Sequence, residues 1–350
     1  MKFFSLLPLV TPAFCCLEKR ASAADITEGL RQEYYFTDYT NYTSFPDEQK
    51  ANVTKYLAEA RDLAQQDIYP YFARDCSSLP VYSESDRLSQ SNGFVPATEV
   101  FSGLYFVGQV AWSSWAYDTG DGLVIFDTLA SAEEAENIII PGIEKFGYSG
   151  KDIKYVLISH EHFDHYGGAK YLQDKYNVPI MASAKAWEAM AEDDLGPRKN
   201  EKAQTVSDGD RLTLGNLTLT FYETPGHTEG TISWIFPVKD LQSGERFVAA
   251  LYGGMGFSKT EESLTQQVAS FDRFSGLAGQ HNVEVLIGNH QGRDRSLYHL
   301  DLLAHRECGD RGCNMANPYV IGADAYKRWC KVQSLCIRAY AARTNMYLRQ

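Results

Sequence analysis

Ser159-His160-Glu161-His162-Phe163-Asp164-His165 places three imidazoles and the Asp164 carboxylate within six consecutive positions. The run follows Lys154-Tyr155-Val156-Leu157-Ile158, an apolar stretch of strand type, and precedes Tyr166-Gly167-Gly168-Ala169, where a helix is expected to begin. The cluster therefore sits at the mouth of a strand, on a loop anchored at both ends. Imidazole nitrogen and carboxylate oxygen are donors that zinc accepts. His160 and His162, two positions apart, can face one ion from an extended or turning backbone. The adjacent Asp164 and His165 can turn toward a second ion about 3.5–4 Å away, the separation of two-metal hydrolases. Of the eight histidines in the chain, three lie here, and two more recur in a similar context. His227 stands in Thr224-Pro225-Gly226-His227-Thr228-Glu229-Gly230 after the strand-like Leu217–Phe221. His290 stands in Ile287-Gly288-Asn289-His290-Gln291-Gly292 after Val283–Ile287. Each ends a strand and enters a glycine-bearing turn, as a site assembled at one edge of a sheet requires. A histidine-rich solvated loop would not explain that recurrence.

The chain has 350 residues, enough for one large domain or two ordinary ones, and its 44% hydrophobic and 22% charged residues are those of a globular protein with a sizeable core. A formal net charge of −12 argues against nucleic acid or an anionic membrane surface as the main partner. Residues 1–16 read as a secretory signal: Lys2 supplies the positive start, and Phe3–Val10 an apolar run too short to span a bilayer. Leu17-Glu18-Lys19-Arg20 reads as a dibasic propeptide end at 17–20, so the expected location is secreted. A retained apolar anchor is the competing reading. Glycosylation sequons begin at Asn41, Asn52 and Asn216. Beyond Arg20 the cysteines are Cys76, Cys308, Cys313, Cys330 and Cys336, an odd number, so one is free or paired between chains. Cys308 and Cys313 are near enough to close a small loop. Cys330 and Cys336 fall on different sides of one helix and should not pair with each other, which leaves Cys76 as a partner for one of them.

Residues 21–95 form an extension before the main domain. It holds an aromatic-rich run, Tyr34 to Phe45, that either packs on the core or walls a cleft, a helix over Lys50–Arg74, and a polar loop over Ser83–Asn92. From residue 96 to 305 strand and helix signals alternate in two blocks. Strands are expected at Val100–Val107, Ser113–Asp118, Leu123–Asp127, Ile180–Ala182, Thr231–Phe236 and Arg246–Leu251, with helices at Ala132–Phe146, Gly168–Lys175, Lys185–Glu192 and Glu262–Leu277. Gly215-Asn216 signals a hairpin that would expose the third sequon. Residues 306–350 form a tail ending in a helix over Asp324–Ala342, with Trp329, Val332, Cys336 and Tyr340 on one stripe.

The complete His-x-His-x-Asp-His at 160–165, followed in order by His227 and His290, resembles the metallo-β-lactamase superfamily over roughly Phe94 to His305. The resemblance implies an α/β (α+β) fold, a four-layer αββα sandwich with the site on one edge between two mixed sheets. It implies two Zn²⁺, one held by His160, His162 and His227, the other by Asp164, His165 and His290. Three protein ligands per ion leave positions open for chemistry, and water held there ionises near neutral pH. Asp164 would also orient that water, and Asp127, at a strand end, would act from behind the ligands or be an ordinary turn residue. Glu161, between two ligands, is expected to point away from the ions.

Members of the superfamily that act on thioesters and lactones carry an aspartate bridging both ions after the strand that follows His227. Here that strand ends Ala250-Leu251-Tyr252-Gly253-Gly254-Met255-Gly256, with neither an acid nor a cysteine. The set looks like the di-zinc subclass lacking both. That favours cleavage of a cyclic amide or β-lactam-type acyl bond in a small molecule, with an esterase, lactonase or thioesterase as the alternative. A diiron redox enzyme, which would carry glutamate at position 162, and a non-catalytic zinc-binding protein are the remaining readings. No serine pair for a substrate carboxylate stands near Met255, Ser258 being the nearest, and Gly253, Gly254 and Gly256 are expected to leave room for a bulky acyl group.

Overall fold

Leu123-Val124-Ile125-Phe126 sends alternate side chains into two different cores, which is how a strand buried on both faces reads. The computed structural model describes residues 35–36, 47–77, 80–81, 95–309 and 312–349. The expected signal and propeptide end, the Asn41 sequon, the Ser83–Asn92 loop and all but two of the aromatic-run positions lie outside them.

Seven strands form the first sheet in sequential order: β1 (Thr98–Phe101), β2 (Leu104–Phe106), β3 (Trp115–Asp118), β4 (Leu123–Phe126), β5 (Ile153–Leu157), β6 (Ile180–Ser183) and β7 (Gln204–Val206). Pairing is antiparallel as far as β4 and parallel from β4 to β7, where helices supply the crossovers. Five more strands form the second sheet: β8 (Arg211–Leu214), β9 (Leu217–Glu223), β10 (Ile232–Lys239), β11 (Arg246–Leu251) and β12 (Val283–Ile287), of which only β11 and β12 run parallel.

Between the sheets lies an aromatic core in which Phe126 meets Trp234 and Phe236 edge-on, both at 5.3 Å between ring centroids. Edge-to-face contact suits the ring quadrupoles and adds to the burial. Ile125 and Val156, on the outer face of the first sheet, pack under Ile139, Ile143, Leu172 and Trp187 from the crossover helices. The outer face of the second sheet, with Tyr222, Ile235 and Ala250, is covered by three helices: α1 (Lys50–Ala64), α2 (Glu261–Gln280) and α3 (Ala323–Arg343). The result is helix, sheet, sheet, helix. Thr260 caps α2 by accepting a hydrogen bond from the Ser263 N–H, and Glu261 and Glu262 sit in its first turn, where the dipole favours negative charge.

Two element expectations are corrected. The helix over Lys50–Arg74 ends at Ala64, because Gln65 turns left-handed at φ 51°, and a short helix restarts at Tyr69–Phe72 with Pro70 in its first turn. The strand over Val100–Val107 is a tight hairpin, β1 and β2, reversing at Gly103 with φ 75°. Strand β7 was missed, because only Val206 of its three residues is buried. Disulfides join Cys76 to Cys336 and Cys308 to Cys313, while Cys330 is free and buried. Among the described residues no helix is long and apolar enough to cross a membrane. Asn52 and Asn216 are both exposed.

Candidate metal centre

Strands β4, β5, β9, β11 and β12 all deliver their carboxyl ends to one edge of the sandwich. Asp127 follows β4, the His160–His165 motif follows β5, His227 follows β9, Gly253–Gly256 follow β11 and His290 follows β12. The motif leaves β5 in extended form, and His162 then opens a single helical turn, Phe163–Tyr166, which swings Asp164 and His165 to one side. Gly167 lets that turn sit on the β4 loop: a Cβ there would fall 2.1 Å from the Ala130 carbonyl oxygen.

The six expected ligand residues come together as two trios, His160, His162 and His227 in one and Asp164, His165 and His290 in the other. In the first, His160 Nε2 lies 3.1 Å from His162 Nδ1 and 3.1 Å from His227 Nε2. In the second, His165 Nε2 lies 3.1 Å from His290 Nε2, and Asp164 Oδ2 lies 3.4 and 3.5 Å from those two atoms. Donors on a tetrahedral zinc at about 2.0–2.1 Å stand roughly 3.3–3.4 Å apart. Each trio therefore has the span of one face of such a tetrahedron, and the residues present fit a pair of zinc ions. The first trio is uncharged and the second carries one carboxylate, so a divalent ion held by the first would keep more of its charge.

The nitrogens turned away from the trios have partners of their own. His165 Nδ1 donates to Asp127 Oδ2 at 2.8 Å and His227 Nδ1 donates to the Gly256 carbonyl at 2.7 Å, which leaves each Nε2 as the donor atom toward a metal. His160 Nδ1 lies 3.1 Å from Ser159 Oγ. Burial and the neighbouring imidazoles hold His160 and His290 well below the ordinary histidine range, and burial with His162 pushes His227 down to about 3. Neutral imidazole is the form that binds metal. Burial also works against a charge on His165, but the carboxylates of Asp164 and Asp127 outweigh it and raise that group to about 10. Burial would raise Asp164, and His165 brings it well below the usual carboxylate range.

Asp127 is not an ordinary turn residue. Held left-handed at φ 55°, it accepts from the Ser159 N–H and Ser159 Oγ, both at 2.7 Å, as well as from His165. Two further residues had no assigned role in the sequence. Ser159 Oγ also accepts from Asn289 Nδ2 at 3.0 Å, and Asn289 Nδ2 donates to the Gly253 carbonyl at 2.8 Å, so the β5, β11 and β12 loops are joined beneath the trios. Glu161 does point away from the trios, and it bridges to the His227 loop: Oε1 accepts from Gly230 N at 2.9 Å and Oε2 from Thr228 Oγ1 at 2.9 Å. The only sequence signal was a carboxylate alternating with ligands. Gly254 and Gly256 do not leave space for substrate at their own Cβ positions. A Cβ on either would come within 2.6 Å of the His227 ring, so the imidazole fills that space.

The sequence profile of the metallo-beta-lactamase superfamily matches residues 108–241. A probable metallo-hydrolase of Bacillus subtilis is 28% identical over 150 residues, 39% of this chain and 62% of that protein. A hydroxyacylglutathione hydrolase of Rhodopseudomonas palustris is 36% identical over 98 residues, 28% of this chain and 34% of that protein. The matched stretch thus spans less than two thirds of either relative. Among solved structures, the native metallo-beta-lactamase from Legionella gormanii is similar at a TM-score of 0.57 and 22% identity, over 69% of this chain and 94% of that one. A subclass B3 metallo-beta-lactamase of Bradyrhizobium japonicum is similar at 0.55 and 23%, over 68% and 90%. At such identities the likeness is one of fold. Profile, fold and the strand-end placement of the motif agree: residues 108–241 carry a domain that matches the metallo-β-lactamase superfamily.

Proposed function

We propose that this protein is a zinc-dependent hydrolase that cleaves an acyl bond of a small molecule, a cyclic amide of β-lactam type before others. The observation that carries the reading is the donor set: two trios of imidazole and carboxylate donors at tetrahedral spacing, with no acid or cysteine in Tyr252–Gly256 to bridge them. Two zinc ions would supply a Lewis acid for the acyl oxygen and a source of ionised water at neutral pH. Asp164, whose Oδ2 faces His165 and His290, is the carboxylate that would orient a water at the site and hold its proton. Asp127 fixes the ring of His165 so that this arrangement does not rotate. No serine or cysteine nucleophile is required. Hydrolysis of an ester, lactone or thioester is the second reading, and the relatives named hydroxyacylglutathione hydrolase favour it. Action outside the cell is part of the proposal. The Cys76–Cys336 and Cys308–Cys313 disulfides and the exposed Asn52 and Asn216 support it.

The test is metal content by mass spectrometry, together with turnover of a chromogenic cephalosporin and of a thioester panel before and after chelation. Turnover should vanish on chelation, return with Zn²⁺, and fall by at least about 10³-fold in His162→Ala. Full activity in the chelated protein would overturn the reading. Turnover confined to thioesters would select the second one.

A further inference from the structure

The second trio takes two ligands, Asp164 and His165, from one loop, so His290 alone decides whether it closes. His290 opens a four-residue helical turn, Gln291–Asp294, too short to hold its own shape. Arg293 N donates to the His290 carbonyl at 2.9 Å, so Arg293 holds the C-terminal side of the turn while Ser113 N, donating to the Asn289 carbonyl at 2.9 Å, holds its start. The Arg293 side chain is buried, and its Nη1 lies 2.6 Å from Oδ1 of Asp75, a carboxylate with no exposed surface, 218 residues earlier in the chain. The same Oδ1 accepts from Arg74 Nη1 at 2.7 Å, and Oδ2 accepts from Gln333 Nε2 of α3 at 2.8 Å. One turn beyond Gln333, Cys336 is bonded to Cys76, the neighbour of Asp75. Gly292 sits against Arg74 so closely that a Cβ would meet its Nη2 at 2.1 Å. Two guanidinium groups and an amide thus converge on one buried anion, in a low-dielectric setting where such hydrogen bonds are strong and directional. Among the described residues the His227 loop is held elsewhere, by Glu161 from within the motif and by α2, where Ser270 Oγ donates to the Pro225 carbonyl at 2.7 Å.

Resting on the two-metal reading above, we propose that Asp75 is the positioning residue for His290. The segment before the metal-bearing fold, locked to α3 by the Cys76–Cys336 disulfide, sets how tightly the second trio holds its ion. The first trio is independent of it.

The test is stepwise Zn²⁺ uptake by the metal-free, disulfide-intact protein in competition with a chelator, repeated with Co²⁺ to follow the ligand-field bands of each site. In Asp75→Asn the first ion should bind within about twofold of wild type, and the second about 10- to 100-fold more weakly. Arg293→Gln leaves Asp75 with Arg74 and Gln333 and guards against a fold failure in the first variant. It should show the same selective loss, and Arg293→Lys, which keeps the charge, should recover part of it. Unchanged uptake of both ions in Asp75→Asn and Arg293→Gln would overturn the proposal, as would equal weakening at both sites. If the wild-type protein itself takes up no second ion, the two-metal reading fails, and this inference fails with it.

Discussion

Glu161 shows how a residue between two ligands can matter without touching a metal. Its carboxylate spans from the β5 loop to Thr228 and Gly230 and so carries the His227 loop toward His160 and His162. Glu161→Ala should weaken the first ion about tenfold. Glu161→Gln should keep most of the affinity, since its amide can accept from Gly230 N and donate to Thr228 Oγ1. Chelator competition measures both, and unchanged affinity in the alanine variant would mean that the loop holds its own shape. At this scale the candidate ligand residues were legible from type and context, and their division into two trios from the superfamily resemblance. Ser159 and Asn289 were not, because their bond crosses 130 positions of chain and leaves no periodic trace.

Strand ends are the unit that builds this centre, and their apolar runs made them readable. Their immediate neighbours were less so. The Tyr252–Gly256 segment after β11 looked like open space in the sequence, whereas it is the backing of His227. Gly254→Ala should drive a methyl group into that ring and weaken the first ion about tenfold. The melting temperature of the metal-free protein should change little, since Gly254 has no left-handed backbone to lose. Normal affinity in that variant would show that the ring has room to move. The break in the expected Lys50–Arg74 helix was hidden for a related reason. Gln65 is an unremarkable helix former by type, and only its place at the end of the packed face turns it left-handed.

Across the whole molecule, buried ion pairs tie the ends of the chain to the sandwich. Asp240, at the end of β10, accepts from Arg306 Nη1 at 2.7 Å and from Asn317 Nδ2 at 3.1 Å, all three side chains being buried. Burial pushes the Asp240 carboxyl up, but the Arg306 guanidinium, the Ser243 N–H and Asn317 bring it well below its usual range. A folded-state value below the unfolded one gives stability that is complete above the unfolded value of about 3.9 and is lost as pH falls through and below it. Asp240→Asn strands Arg306 without its counter-charge and should cost about 3–5 kcal/mol at neutral pH. Urea unfolding should show the gap between variant and wild type closing below about pH 4, as the carboxyl of the unfolded wild-type chain takes up a proton that the folded one does not. A gap that stays constant down to pH 2 would mean that the pair contributes no charge-dependent stability.

Beside the layered fold and the two trios, which the superfamily resemblance implied, the sequence by itself determined the candidate ligand residues and the strands that end in them. These follow from local residue type and from periods of two or of about 3.6, which a one-dimensional string retains. Only the tertiary structure decided that Glu161 braces His227, that Asp75 reaches Arg293, and that Cys76 chooses Cys336 over Cys330. Those contacts depend on which distant surfaces the sandwich presses together. A hydrogen bond or disulfide between them is specified by three-dimensional proximity, for which sequence spacing carries no signal.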